Sequence, residues 1–434
     1  MREDILHFIW QHKAFYPIGL QTIEGQAIEI IHCGQPNQHD GPDFLMAKIK
    51  IDQTTWVGHV EIHLKTSDWF KHKHQHDKNY DNVILHVVLQ HDIVIEMPFP
   101  TLQLMGKIPP ILLHRYQKMM NNKNPVLCSH YLPEIPDIIK QKWLERLMVE
   151  RLQRKTGEIF QLLESSKQDW ELTFFRYLGK YLGGKQNKSS FELLFTSLHP
   201  KILLQHADNL NQLEALLLGQ AGFLDEYTSD TYLTQLKEEY LFLKHKYQLI
   251  GIPKFMWKFK GIRPQAFPSL RLAQLAVLIH RHFPILQKLL HHPLPAQMFN
   301  IVLTNDYWKD HYYPGKKSIQ KNKCSGKDFG NMILVNVVAP FLIAYGKIVG
   351  NDQFIEKSLC LLNISPMEQN AIIRLFSPLR LPAEHASHSQ STIQLYENYC
   401  LKKKCLECAF GHRILKEEKT NFVCEENEIA WLAS

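Results

Sequence analysis

The sequence predicts an α/β unit, a mostly α-helical unit after it, and a small cysteine-containing unit at the end. Three observations carry that expectation. Apolar and polar residues alternate through three successive runs before Thr66, the pattern of half-buried strands. After Pro109 the apolar spacing lengthens to three and four residues, the period of a helix. Three of the eight cysteines then crowd together at Cys400, Cys405 and Cys408.

At 434 residues the chain exceeds one ordinary core, and its 45% hydrophobic content is that of a globular protein. We place an α/β domain at residues 1–115, a helical domain at 116–388 and the cysteine unit at 389–434. In the first domain, Ile5, Leu6, Ile9 and Trp10 share a helical face, so a helix ends before Pro17. The runs EGQAIEIIHCG, PDFLMAKIKI and WVGHVEIHLK read as strands, separated by turn residues such as Gly34, Gly41 and Asp52. A short helix or irregular turn follows from Trp69 to Tyr80, then a strand from Val83 to Leu89, with another expected in VIEMPFPTLQL. The second half carries helical runs, among them Ile138 to Glu164 and LRLAQLAVLIHRHF, broken at Gly183-Gly184, Pro253, Pro264, Pro268, Pro293 and Pro314.

The run MILVNVVAPFLIAYG is shorter than the roughly 18 residues of a membrane span and is interrupted by Asn336 and Pro340. No membrane partner is therefore expected. The N-terminus is mixed in charge and lacks a small-residue cleavage site, so a cytoplasmic location and reduced thiols are the expectation. The formal charge of +7 is unevenly spread. Residues 251–330 hold thirteen Lys or Arg against three Asp, interleaved with aromatics, a composition that suits phosphates and stacked bases. Arg263, Arg271, Lys309, Lys316 and Lys317 are the expected nucleic-acid contacts.

Potential chemistry is densest from Asn37 to His86. Asp43 opens one strand, while Glu61, His63 and Lys65 alternate along the next and so share a face. Two acids and a cation on neighbouring strands suit a divalent metal and an attacking water. His72, His74, Asp77 and His86 form a second rank, since imidazoles at alternate positions suit Zn²⁺ or Mn²⁺; a solvated turn and a core histidine are the plain alternatives. Cys400, Cys405 and Cys408, with Cys424 or His412 as fourth ligand, have the composition of a Zn²⁺ site or an iron–sulfur cluster, the alternative being reduced thiols.

Pro42-Asp43 followed by Glu61-x-His63, in the order helix, three strands, helix, strand, resembles the PD-(D/E)xK nuclease superfamily. The resemblance implies hydrolysis of a DNA or RNA phosphodiester, with Asp43 and Glu61 holding Mg²⁺ or Mn²⁺. His63 stands where that superfamily usually has Lys, which makes it a ligand or a base and leaves Lys65 to stabilise charge. Glu3 would add a further acid. Two other readings stand beside this one: a nucleic-acid-binding or assembly protein with a degenerate nuclease core, and a metal-dependent hydrolase of a smaller substrate. Over nearly its whole length, from LHFIWQ through GHVEIHLKTSDWFKHKHQHD and VNVVAPFLIAYG to YCLKKKCLECAFGH, the chain is similar to the bacterial family called domain of unknown function 2851. That similarity implies one architecture rather than a fusion and supplies no activity.

Overall fold

Alternation along the early chain builds one mixed sheet. A computed structural model describes residues 2–37, 39–94, 97–225, 230–292, 298–301, 303, 305–321 and 323–416. Its contacts divide the chain into two units, Met1–Trp143 with Leu379–Leu381 and Leu395–Ser434, and Leu144–Pro378 with Pro382–Gln394. The first is mixed α/β and the second mostly helical. The cysteine segment expected to stand alone at 389–434 does not: its part from Leu395 onward groups with the first unit.

In the first unit, helix α1 (Asp4–Gln11) is followed by strands β1 (Ile28–His32), β2 (Gln35–Pro36), β3 (Phe44–Ile51) and β4 (Thr54–Lys65). Then come the single turn of α2 (Asp68–Lys71), β5 (Val83–Gln90), β6 (Thr101–Gln103) and α3 (Pro110–Met120). The sheet runs β1-β3-β4-β5-β6, with β2 also on β3. The β1–β3 and β3–β4 pairs are antiparallel and the β4–β5 and β5–β6 pairs parallel. One face is apolar. Phe44, Ala47, Ile49, Val60, Ile62, Leu85 and Val87 pack there with Ile5, Leu6 and Ile9 of α1 and with Leu112 and Leu113 of α3. Period two sends Glu61, His63 and His86 to the opposite face.

A β-bulge decides which residue of β3 joins them. Ala47 pairs with Gly58, yet Phe44 pairs with Val60, a slip of one residue. Without the slip Asp43 would face Ile62 on the apolar side; with it, Asp43 lies across from Glu61. Met46 absorbs the slip at φ 56° and its N–H donates to His59 Nδ1 at 3.3 Å. A side-chain-bearing residue is strained there by about 1 kcal/mol. Gly34 lies over the bulge at φ +89°, and a Cβ on it would come within 2.8 Å of the Leu45 carbonyl oxygen.

The second unit is a helical assembly. The chain continues through α4 (Asp137–Ser165), α5 (Trp170–Leu182), α6 (Gly184–Ser197), α7 (Pro200–Gln205), α8 (Leu210–Gln220), α9 (Thr231–Tyr247), α10 (Pro268–His282) and α11 (Ile285–His291). A small hairpin, β7 (His311–Tyr313) and β8 (Lys316–Lys317), precedes α12 (Lys327–Ile333), α13 (Ala339–Val349), α14 (Asp352–Ile364), α15 (Ala371–Phe376) and α16 (Ala386–Leu395). A last helix, α17 (Ala409–Lys416), lies in the first unit. A π turn at Leu334–Val338 joins α12 to α13, so Asn336 and Pro340 do not break the run. Lys327–Val349 is long and apolar enough to cross a bilayer by composition, but 72% of its most apolar window is buried. Asn336 is satisfied there by Lys155 Nζ at 2.6 Å and by Glu368 Oε1 at 2.8 Å.

Helix α8 is buried on all sides from Leu213 to Gln220, packed on α9 and α10. Its one acid, Glu214, accepts hydrogen bonds from Trp308 Nε1 at 3.0 Å and the Tyr232 hydroxyl at 2.9 Å. Burial pushes its carboxyl up to about 7 against those bonds.

Two outcomes are expected. Gly34→Ala should lower the stability of the first unit by roughly 2–3 kcal/mol, since it adds both a positive-φ penalty and a backbone clash. An unchanged thermal midpoint would show that the bulge does not depend on Gly34. In the unfolded chain Glu214 loses its proton near the ordinary value of 4.5, and in the folded chain near 7. Its contribution is therefore complete below pH 4.5 and lost as pH rises to about 7. Glu214→Gln removes that dependence, so its stability relative to the parent should rise by roughly 2–3 kcal/mol across the window. Parallel pH curves for the two proteins would contradict the assignment.

Candidate metal centre

The polar face of β4 and β5 carries the site. Glu61 and His63 alternate on β4, and His86 lies beside Glu61 in the parallel register. All three are buried. The face is roofed by Trp69 of α2 and by the turns His74–His76 and Lys78–Tyr80 that follow. Trp69 meets His74 and His86 edge-on or tilted, with ring centres 5.2 and 5.7 Å away, and Tyr80 stacks on His74 at 4.0 Å. The aromatic roof turns the histidine-rich stretch inward, where alternation alone left it a solvated loop.

Asp43 and Glu61 are brought together. Glu61 Oε2 accepts the Asp43 N–H at 3.1 Å, and Asp43 Oδ2 accepts the Ile62 N–H at 2.9 Å. The other oxygen, Glu61 Oε1, lies 3.3 Å from His74 Nε2 and 3.5 Å from His63 Nε2. His63 Nε2 is in turn 3.1 Å from His72 Nδ1, and His63 Nδ1 is 2.9 Å from His86 Nε2. Ligand atoms of His63, His72 and His74 all lie within 4.8 Å of one another. Tetrahedral donors around an ion at 2.0–2.1 Å stand ~3.3 Å apart, so this set has the right scale for one ion. His74 Nε2 is buried without a hydrogen-bond partner although it faces a carboxylate oxygen. An imidazole lone pair and a carboxylate that meet without a proton between them suit a shared cation.

The electrostatics agree with that geometry. Burial, and then the charge of Asp43, push the Glu61 carboxyl up to about 9. Burial, then the crowding of His86, His72 and His74, push His63 down to about 2. Burial, then His74, lower His86 to about 4, and burial followed by His72 lowers His74. The imidazoles are thus neutral, the form that ligates metal. His7 behaves differently. Its Nε2 lies 3.3 Å from Asp43 Oδ2, and although burial opposes it, Asp43 and Glu3 raise it above the ordinary value.

Several expected residues fall elsewhere. Lys65 ends β4 with its side chain exposed. It lies by Asp92, whose carboxyl burial pushes up but the Ser67 hydrogen bonds and the Lys65 charge hold low. Asp77 caps the turn at Lys78–Tyr80 by accepting the Asn79 N–H at 2.9 Å. Arg271 is a correction to the expected phosphate contacts: it is buried, its guanidinium 3.6 Å from the centre of the Phe329 ring and bonded to Gln274. Period 3.6 placed it on the inward face of α10, whose residues are buried without a break from Pro268 to Ile279. Lys309 pairs with Asp306 at 2.7 Å. Arg263, Lys316 and Lys317 are exposed. Trp257 and Trp308 are core residues rather than stacking platforms. Cys424 lies outside the described residues.

Strand phase passed over His7. Its signal is the spacing of Glu3 and His7, one helical turn apart at the start of α1. Burial, then the charge of Asp43, raise the Glu3 carboxyl.

A family model described as protein of unknown function (DUF2851) matches residues 3–371. No curated protein matches the chain. No solved structure matches it either.

Proposed function

Because the chain belongs to the DUF2851 family, whose description carries no activity, we propose its function from the site itself: a metal-dependent hydrolase that cleaves phosphodiesters in DNA or RNA. One observation carries the reading. Glu61, His63, His72 and His74 point their donor atoms at one another beside a second carboxylate, Asp43. Three imidazoles and a carboxylate favour Mn²⁺ or Zn²⁺ over Mg²⁺, which prefers an all-oxygen shell. An ion held there supplies Lewis acidity to a phosphoryl oxygen and to water.

The chain's own residues divide the remaining work. Asp43, partly open to solvent and fixed by the Ile62 N–H, is placed to take a proton from the attacking water. His7 beside it offers positive charge to the phosphate and a proton to the leaving oxygen. His86 buttresses His63 from below through its Nε2, leaving the other His63 nitrogen to face Glu61 and His72. The helix, strand and acid order that resembles the PD-(D/E)xK nucleases supports the phosphodiester as substrate. Exposed His72 and half-exposed His7 leave the site open on one side, which supports a polymer. The imidazole trio also favours a second reading, hydrolysis of a smaller phosphorylated substrate.

The test is cleavage of single- and double-stranded DNA and RNA, and of a small phosphodiester, with Mn²⁺, Zn²⁺ or chelator. The parent protein should cut a polynucleotide only with metal. Glu61→Gln and His74→Ala should each lose roughly 100-fold or more, at or beyond the loss typical of an outer-shell partner. Cleavage of the small diester alone supports the second reading. Equal activity in parent and Glu61→Gln places any cleavage elsewhere.

A further inference from the structure

A second gathering of ligand atoms lies apart from the histidine face. Cys400 ends a π turn, Cys405 opens a short 3₁₀ turn, and Cys408 leads into α17. In the same unit, the loop after α3 carries Cys128. Burial pushes the Cys128 thiol well up, and the nearest ionisable neighbours acting on it are Cys408, Cys400 and Cys405. Cys400 is raised by burial and then by Cys408 and Cys405, while burial followed by Cys408 pushes Cys405 up to about 12. Four of the chain's eight cysteines therefore converge from two segments far apart in sequence, and no disulfide joins them.

The backbone around each thiol is held in place. The Cys128 carbonyl accepts the N–H groups of Tyr131 at 2.9 Å and Leu132 at 3.0 Å. Asn122 Nδ2 bonds the Leu127 carbonyl at 2.9 Å and Ser129 Oγ at 3.2 Å, clamping the loop on both sides of Cys128. On the other segment the Cys400 carbonyl accepts the Lys403 N–H at 3.1 Å. Helix α17 presses on the Cys405 backbone so closely that a Cβ at Gly411 would come within 1.9 Å of the Cys405 carbonyl oxygen. Arg115 Nη1 of α3 fastens the far end of that helix through the Ile414 carbonyl at 3.2 Å. His412 is engaged elsewhere: its Nε2 bonds the Leu406 carbonyl, and its ring stands edge-on to Phe8 and His12.

Buried thiols gathered in this way gain little from one another as thiols, since weak S–H donors make poor partners. Four preorganised soft donors are what a tetrathiolate centre requires, each giving up its proton on binding. We infer that Cys128, Cys400, Cys405 and Cys408 hold a structural metal centre, a Zn²⁺ ion or an iron–sulfur cluster, that ties the segment Leu395–Lys416 to the loop ahead of α4. Cys128 replaces Cys424 or His412 as the fourth ligand expected from sequence.

The test uses the full-length protein purified without oxygen. Metal and labile sulfide analysis should give about one Zn²⁺ per chain, or iron with sulfide and a visible chromophore, and X-ray absorption should show an all-sulfur protein shell. Cys128→Ser should lose most of the metal, whereas Cys424→Ser and His412→Gln keep it. Should Cys128→Ser fail to fold, alkylation mapping of the parent protein decides. Stripping the metal should raise the reactivity of Cys128 together with that of Cys400, Cys405 and Cys408. A parent without metal, full metal in Cys128→Ser, or a Cys128 indifferent to stripping would each overturn the assignment.

Discussion

The candidate site depends on a slip of one residue. Strands β3 and β4 could pair without a bulge, and the apolar alternation of both would still bury a core. Asp43 would then face Ile62 on the apolar side, and Glu61 would stand among histidines with no second carboxylate. The bulge at Met46 spends local backbone energy to turn one strand end over, and Gly34 provides the room for it. The convergence of the two acids follows from that small distortion rather than from either strand taken alone.

Two acids so placed impose a second constraint. A buried Glu61 beside Asp43 is costly to ionise, and the neutral imidazoles around it carry no charge to balance it. A cation resolves this by replacing several unfavourable contacts with coordinate bonds. The aromatic roof of Trp69 and Tyr80 excludes water from the histidine side and orients His74 toward Glu61. The other side, at His7 and Asp43, stays open. The hydrolytic proposal rests on this division between a dry ligand side and a wet proton-transfer side.

Much of this was legible in the sequence, and what was not has physical causes. Period-two alternation located β3, β4 and β5 and put Glu61 and His63 on one face, because side-chain direction in a strand is fixed by the backbone. The run from Ile138 to Glu164 became α4 almost residue for residue. His72 and His74 ranked second because their placement depends on a turn packed under Trp69, which no periodicity encodes. Lys65 continued the phase of Glu61 and His63 but ran past the end of the covered face into solvent. Arg271 shows the converse error, since a basic residue amid aromatics reads as surface until its helix proves buried all round. Cys128 was illegible as a ligand for the simplest reason: its neighbours in space are far from it along the chain.

The most direct test of the central claim is an anomalous difference map, recorded at the manganese edge, from crystals grown with MnCl₂. The account predicts a peak about 2.1 Å from Glu61 Oε1 and from imidazole nitrogens of His63, His72 and His74. A map empty at that position, with Glu61 and His74 joined by an ordinary hydrogen bond, would contradict it.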